Sequence, residues 1–267
     1  MTLFLRKYIP AIVLVFSWLL VQSQTGANNY AFELGENAEY RIFFGWITLG
    51  KAEYLIKDQT EVYEDEKCYR LTIKGHLPRI LFFPEVRDEW GSVMRTSDLV
   101  PKYTYRYIRE GKYKLDEEVY ADLEKGNIKV TSLKYHHENP KKPDRYYQFD
   151  PKLKMYDMLS GMLLVRNMDL DVLNPGDTVR LHAFFEKGFY EPFKVLYLGT
   201  EKIKTKLGKI KSHKLIPLLP KNNFFDGEDS IVCWLSADRN KIPLRITAKM
   251  FIAKLGVEIK SLEGTKY

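Results

Sequence analysis

The chain has 267 residues, 29% of them charged and 45% hydrophobic, with a formal charge of +7. That balance excludes a disordered, collagen-like or multi-span membrane protein, and the length suits one large or two small domains. Two cysteines are too few for a disulfide scaffold or, by themselves, a structural zinc site.

The N-terminus carries the first signal. Arg6 and Lys7 precede an uncharged run, Pro10 to Val21, well short of the roughly 20 apolar residues that span a bilayer. Polar Gln22-Ser23-Gln24-Thr25-Gly26 follows, and Val21 and Ser23 occupy the −3 and −1 positions of a cut after Ser23. This order is that of a secretory signal peptide over residues 1–23. The working chain is then expected to be 24–267, periplasmic or secreted, with no transmembrane span after cleavage. Losing Arg6 and Lys7 and no acid leaves a charge of +5. A basic exported protein meets anionic lipid, acidic glycan or other envelope proteins, not chromosomal nucleic acid.

Along the working chain the dominant pattern is alternation broken by turns. Ala38, Tyr40, Ile42 and Phe44 alternate with Glu39, Arg41 and Phe43; Gly45 to Gly50 reads as a turn and Ala52–Ile56 as the returning strand. Tyr69, Leu71 and Ile73 alternate in the same way, as do Tyr103, Tyr105 and Tyr107. The N-terminal half therefore reads as an antiparallel meander. Met155, Met158, Leu159, Met162, Leu163 and Arg166 instead follow helical spacing, with Asp150 as N-cap, Pro151 at the first helical position and Asn167 at the end. One helix is expected over about 150–166, its Met-rich face either packed into the concave side of the sheet or acting as a mobile plug over a cavity. Asn174-Pro-Gly-Asp177 is a turn. Strands are expected at 178–186, 193–198, 201–207, 209–219, 231–235, 244–250 and 257–262. The reading is a mostly-β single domain, 24–267, which the helix divides into lobes 30–149 and 150–267.

Catalytic patterns are scarce. The sequence has no G-x-S-x-G, H-E-x-x-H, phosphate-binding glycine loop or C-x-x-C. Of the five histidines only His136 and His137 are neighbours, and adjacent strand residues point to opposite faces, so no metal site is assigned. A carboxylate pair about 5–10 Å apart would serve a glycosidase, but nothing selects a pair among Glu85, Asp88, Glu89, Asp116, Glu117 and Glu118. No catalytic residue and no cofactor is assigned. A Cys68–Cys233 disulfide would close a long loop and contribute roughly 5 kcal/mol. Cys233 alternates with apolar Ile231 and Leu235, however, and Cys68 with polar Arg70 and Thr72, so free thiols are the favoured reading.

Lys202, Lys204 and Lys206 share one strand face, and Lys209, Lys211 and Lys214 continue after Gly208. A hairpin at Gly208 would gather them on one surface, either merely solvated or a contact for anionic headgroups or acidic glycan. The tyrosine stripe with Arg106 and Arg109 resembles a stacking platform, for sugar if it is not core.

The order of motifs is distinctive: Phe32-x-x-Gly35-Glu36-x-x-x-Tyr40, Phe44-Gly-Trp-Ile-Thr-Leu-Gly50-Lys-Ala52, Asp157-Met-Leu-Ser-Gly-Met-Leu-Leu-Val-Arg166, Lys204-Thr205-x-x-Gly208, Trp234-Leu-Ser-Ala-Asp238-Arg-Asn-Lys-Ile-Pro243-Leu-Arg245 and Leu255-Gly256-Val-Glu-Ile. It resembles DUF3108, a family of exported bacterial proteins of unknown function, over about 32–263. The resemblance implies an antiparallel half-open β-barrel, similar to the YmcC-like fold, in the envelope of a Gram-negative, Bacteroidetes-like cell. It brings no activity and no catalytic residues. Trp234 reads as core or cavity wall. Arg166 reads as a cation at a helix C-terminus or at a cavity mouth, and if buried it needs a carboxylate or carbonyl partner. The leading expectation is non-enzymatic binding or chaperoning of an amphipathic envelope component, lipid-linked or glycan, with Arg166, Trp234, Lys202, Lys204, Lys206 and Lys209 as candidate contacts. The alternatives are a structural subunit of an envelope assembly with no ligand, and a carboxylate-pair hydrolase.

Overall fold

The computed structural model describes residues 30–79, 84–134, 143–185, 188–218, 231–249 and 254–267. The signal-peptide reading and the His136–His137 pair lie outside these residues. The meander forms as expected: β1 (Asn37–Phe44), β2 (Ile47–Ile56), β3 (Glu61–Tyr63), β4 (Glu66–Leu77), β5 (Val86–Arg95), β6 (Pro101–Glu110), β7 (Tyr113–Asp122), β8 (Asn127–Lys134) and β9 (Arg145–Gln148). Gly45 supplies the positive φ, 59°, of the β1–β2 turn. Gly50, a second candidate for that role, is not left-handed. It is glycine because a Cβ there would lie 2.2 Å from the carbonyl oxygen of His76 on β4.

The second half holds β10 (Met155–Tyr156), the helix α1 (Met158–Arg166), β11 (Thr178–Phe185), β12 (Gly188–Thr205), β13 (Gly208–Leu218), β14 (Ile231–Ser236), β15 (Pro243–Lys249) and β16 (Lys254–Glu263). The two halves join in one sheet because β16 pairs antiparallel with β1, Asn37 opposite Glu263 through Phe44 opposite Leu255. The strand order is β10-β11-β12-β13-β14-β15-β16-β1-β2-β4-β5-β6-β7-β8-β9, with β3 beside β4. Every pairing is antiparallel except β10 with β11. The ends of this order meet through side chains: Ile128 and Val130 of β8 pack with Met155 and Phe184, and the Tyr147 ring lies 5.5 Å from that of Phe184. A strongly curved sheet whose ends touch without a shared ladder is the expected half-open barrel.

Two elements differ from expectation. The helix is nine residues, not the stretch from Asp150. Asp150 closes its own turn, accepting from the Lys152 amide at 2.9 Å, and Met155–Tyr156 is taken into the sheet beside His182 and Ala183. The helix starts at Asp157, whose side chain accepts from the Ser160 amide at 2.8 Å while the Ser160 hydroxyl meets the Asp157 amide at 3.0 Å. This reciprocal cap satisfies two otherwise orphaned donors. Asn167 ends the helix as expected. Second, the strands expected at 193–198 and 201–207 form one strand, β12. Gly199, at φ 88°, absorbs a register shift between Tyr197 and Thr200, so the interruption in sequence is a bulge and not a turn.

The core fills the concave side. Leu159 and Leu163 of α1 join Ile56, Leu71, Met94, Leu215, Leu235 and Ile259 in one buried cluster, each such side chain contributing about 1.5–3 kcal/mol of burial.

Candidate functional site

The strongest polar feature of the interior is built on Arg166. The last turn of α1 carries it into the core, where it is fully buried. Its Nη1 donates to Glu36 Oε1 at 2.6 Å and to the Tyr54 hydroxyl at 2.7 Å. Its Nη2 donates to Glu36 Oε2 at 2.9 Å and to the Ala31 carbonyl at 3.1 Å, and Nε donates to the Asn240 carbonyl at 3.1 Å. Every donor of the guanidinium fork is engaged, and the fork-to-fork pairing with Glu36 is the strong, geometrically specific kind. The sequence requirement for a carboxylate or carbonyl partner is met by both. Arg166 therefore stands inside a closed network and not at a cavity mouth, which leaves no N–H for a ligand. The same knot secures both ends of the described chain: the Ala31 amide donates to Asn167 Oδ1 at 2.6 Å, and the Tyr267 amide to Asn240 Oδ1 at 2.9 Å.

Trp234 on β14 is buried, and its indole N–H donates to Glu201 Oε1 at 2.6 Å. Lys214 pairs with the same carboxylate at 3.3 Å and sits 5.8 Å from the indole ring centre. Trp234 is thus a core residue with its polar tip satisfied.

Five of the six lysines gather; Lys214 instead pairs with Glu201 beside Trp234. β12 and β13 form the hairpin expected at Gly208, with Lys202 directly opposite Lys211 and Lys204 opposite Lys209. All four, with Lys206 in the turn, are exposed, and Leu207 beside them is 43% exposed. None of the five has an ion-pair partner among the described residues. Arg166 and Trp234 are buried, so the sequence candidates separate into an internal knot, a core indole and an exposed cationic hairpin.

The tyrosine stripe is real, but Arg106 is not part of it. Tyr103, Tyr105 and Tyr107 form a ladder with ring centres 5.8 and 4.9 Å apart. Tyr63 stacks on Tyr103, and Tyr120 lies 5.1 Å from it. Glu118 accepts from Tyr103, Tyr107 and Tyr120, and Glu89 from Tyr105. The Glu118 carboxylate beside Tyr120 pushes its phenol up to about 12. Arg106 lies on the opposite strand face, bound to Glu117 at 2.9 Å. Glu117 is itself buried and also accepts from Ser132 at 2.8 Å and Arg145 at 2.7 Å. That saturation makes it a structural carboxylate, not half of a catalytic pair.

Cys68 on β4 and Cys233 on β14 are both free, and burial pushes the Cys233 thiol up to about 12. Among the described residues no group of three or more His, Cys, Asp or Glu is placed to hold a metal, and no helix is long and apolar enough to cross a membrane.

Sequence reasoning missed Glu36 and Tyr54, the partners of Arg166, because they lie 130 and 112 positions away. It also missed a groove at one end of β7–β9. The alternation of Tyr146 and Gln148 with Arg145 and Tyr147 was its only local sign.

These features define a mostly-β protein of the half-open barrel class, built around one short helix and a buried ion pair. Its chain belongs to the DUF3108 family, described as a protein family of unknown function, whose model matches residues 39–260. Among solved structures it is similar to a β-barrel-like protein of the DUF1849 family from Brucella abortus, at 10% identity and a TM-score of 0.54, with 88% of this chain and 100% of that one covered. That likeness shows the fold alone. Two further structures share 9% identity. One, from Bacteroides fragilis NCTC 9343, is assigned as an exported protein with a YmcC-like fold (TM-score 0.36, 88% and 99% covered). The other, from Parabacteroides distasonis ATCC 8503, is assigned as a lipoprotein (TM-score 0.34, 88% and 98% covered). No curated protein matches.

Proposed function

We propose that this protein is a non-enzymatic, exported binding protein that holds an anionic component of the cell envelope, headgroup or acidic glycan, on the β12–β13 hairpin. The signal-peptide pattern of residues 1–23 supports export. One observation carries the binding reading: Lys202–Lys211 and Lys204–Lys209 are like charges set directly opposite one another, with no counter-ion among the described residues. Directly opposed like charges destabilise a sheet, and an external anion relieves that repulsion. Near an anionic surface each lysine contributes about 1 kcal/mol, and exposed Leu207 adds an apolar contact for an amphipathic partner. The filled concave side supports binding on the surface over carriage inside the barrel.

The test is co-sedimentation with phosphatidylglycerol vesicles, phosphatidylcholine vesicles and soluble alginate at low and high salt. Anionic vesicles or alginate should retain the protein in a salt-sensitive way. Lys202→Glu with Lys204→Glu should weaken retention by tenfold or more, since two lysines at about 1 kcal/mol each are removed and repulsion added. If retention is absent, or indifferent to that variant, the hairpin is a solvated face and the protein is left as a structural subunit.

A further inference from the structure

A second surface is unlike the hairpin in chemistry. At one end of β7, β8 and β9 lies a groove of about 860 Å³, within the roughly 300–1,000 Å³ of ligand sites. Its floor is two parallel cross-strand rows. In the first, Tyr120 of β7 stands opposite Lys129 of β8, which stands opposite Tyr146 of β9. In the second, two positions along each strand and on the same face, Asp122 stands opposite Asn127, which stands opposite Gln148. Tyr146 is 71% and Tyr120 37% exposed. Two tyrosines whose backbones are two strand spacings apart, about 9.6 Å, thus run beside a carboxylate and two side-chain amides.

Those rows match one ligand chemistry. A pyranose offers an apolar C–H face that packs on an aromatic ring, and an edge of hydroxyls that both donate and accept. Tyrosine supplies a rigid amphipathic face, and Asp, Asn and Gln together supply acceptors and donors. Charge selects further. The lining carries five acidic side chains against three basic ones. All three bases are paired, Arg95 with Asp98, Lys102 with Glu64 and Glu66, and Lys129 with Asp144; of the acids, Asp122 pairs with Lys125 at 3.1 Å, and Asp65 and Glu124 have no ion pair among the described residues. An acidic chain would be repelled there. We propose that the Tyr120–Tyr146 groove binds a sugar chain without acidic groups, laid across β7, β8 and β9 with alternate rings, two residues apart in the chain, stacked on the two tyrosines. This site is independent of the lysine hairpin and of the anion it is proposed to hold.

The experiment is a printed array of neutral, N-acetylated and acidic oligosaccharides, followed by calorimetric titration with cellohexaose, N-acetylated chitohexaose and an oligogalacturonate of equal length. Neutral or N-acetylated chains should bind and the oligogalacturonate should not. Tyr146→Ala removes one stacking face and should weaken binding about tenfold, by analogy with the loss of one base–aromatic stack. Tyr146→Phe keeps the ring and should bind as the parent does. Because Tyr146 is exposed, neither change should alter the fold. Lys202→Glu with Lys204→Glu should leave sugar binding unchanged, which separates this site from the hairpin. A silent array, a preference for the acidic chain, or equal binding by Tyr146→Ala would each overturn the proposal.

Discussion

Arg166 shows what a single residue can commit a fold to. Removing a buried charge from water is offset only when its whole hydrogen-bonding capacity is met, and here Glu36, Tyr54 and two main-chain carbonyls meet it. Breaking such a pair from one side costs about 3–5 kcal/mol, because the other charge is left buried and alone. Arg166→Ala and Glu36→Gln should each lower the melting temperature by about 6–20 °C, at about 2–4 °C per kcal/mol for a domain of this size. Arg166→Met combined with Glu36→Leu should recover most of the loss, as measured by thermal circular dichroism. Singles that melt with the parent would show the pair to be idle. His213 sets a second residue-scale expectation. Burial holds its pKa below the ordinary 6.5, with Nδ1 at 3.1 Å from the Tyr197 hydroxyl. The unfolded chain then takes up the proton first, so stability is present above about 6.5 and falls as pH drops through that value toward the depressed folded pKa. Denaturant midpoints between pH 7.5 and 5 should decline, and His213→Gln should flatten the decline. That Arg166 needed partners was legible from its place on an apolar helix stripe. Which partners it found was not, since they are joined only by the closed fold.

At the scale of elements, what was readable was local. The β12–β13 hairpin was visible because its determinants, alternating lysines and Gly208, sit within ten positions of one another and register follows from the turn. The helix was placed correctly at its end and wrongly at its start. Asp150 before Pro151 reads as the cap, and periodicity extends through Met155 whether that residue is helical or not. Asp157 wins because Ser160 stands three positions on to complete the reciprocal cap, and because β11 offers Met155 and Tyr156 a ladder. The Tyr120–Tyr146 groove was invisible for the opposite reason. Each strand contributes one member to each of the two rows, and only the pairing of three strands assembles them.

For the whole molecule the decisive pairing is β1 with β16. It joins residues as distant as Glu39 and Lys260, 221 positions apart and bridged at 3.0 Å, and it turns two meanders into one sheet. Deleting residues 254–267 would bare long edges on both β1 and β15 and release Asn240 from Tyr267. The truncated chain should lose the elution peak of the full-length protein in size-exclusion chromatography and elute as aggregate, as bare edges do. A soluble, cooperatively melting monomer would show that the halves fold separately.

That pairing also puts a clock on the molecule. A ribosome adding 5–20 residues per second delivers β16 roughly ten to forty seconds after β1. Through that interval one side of β1 offers a row of unmatched amides and carbonyls to any passing strand. The yield of native protein is therefore governed by what shields that edge while the chain is still being made, as well as by how deep the finished energy well is.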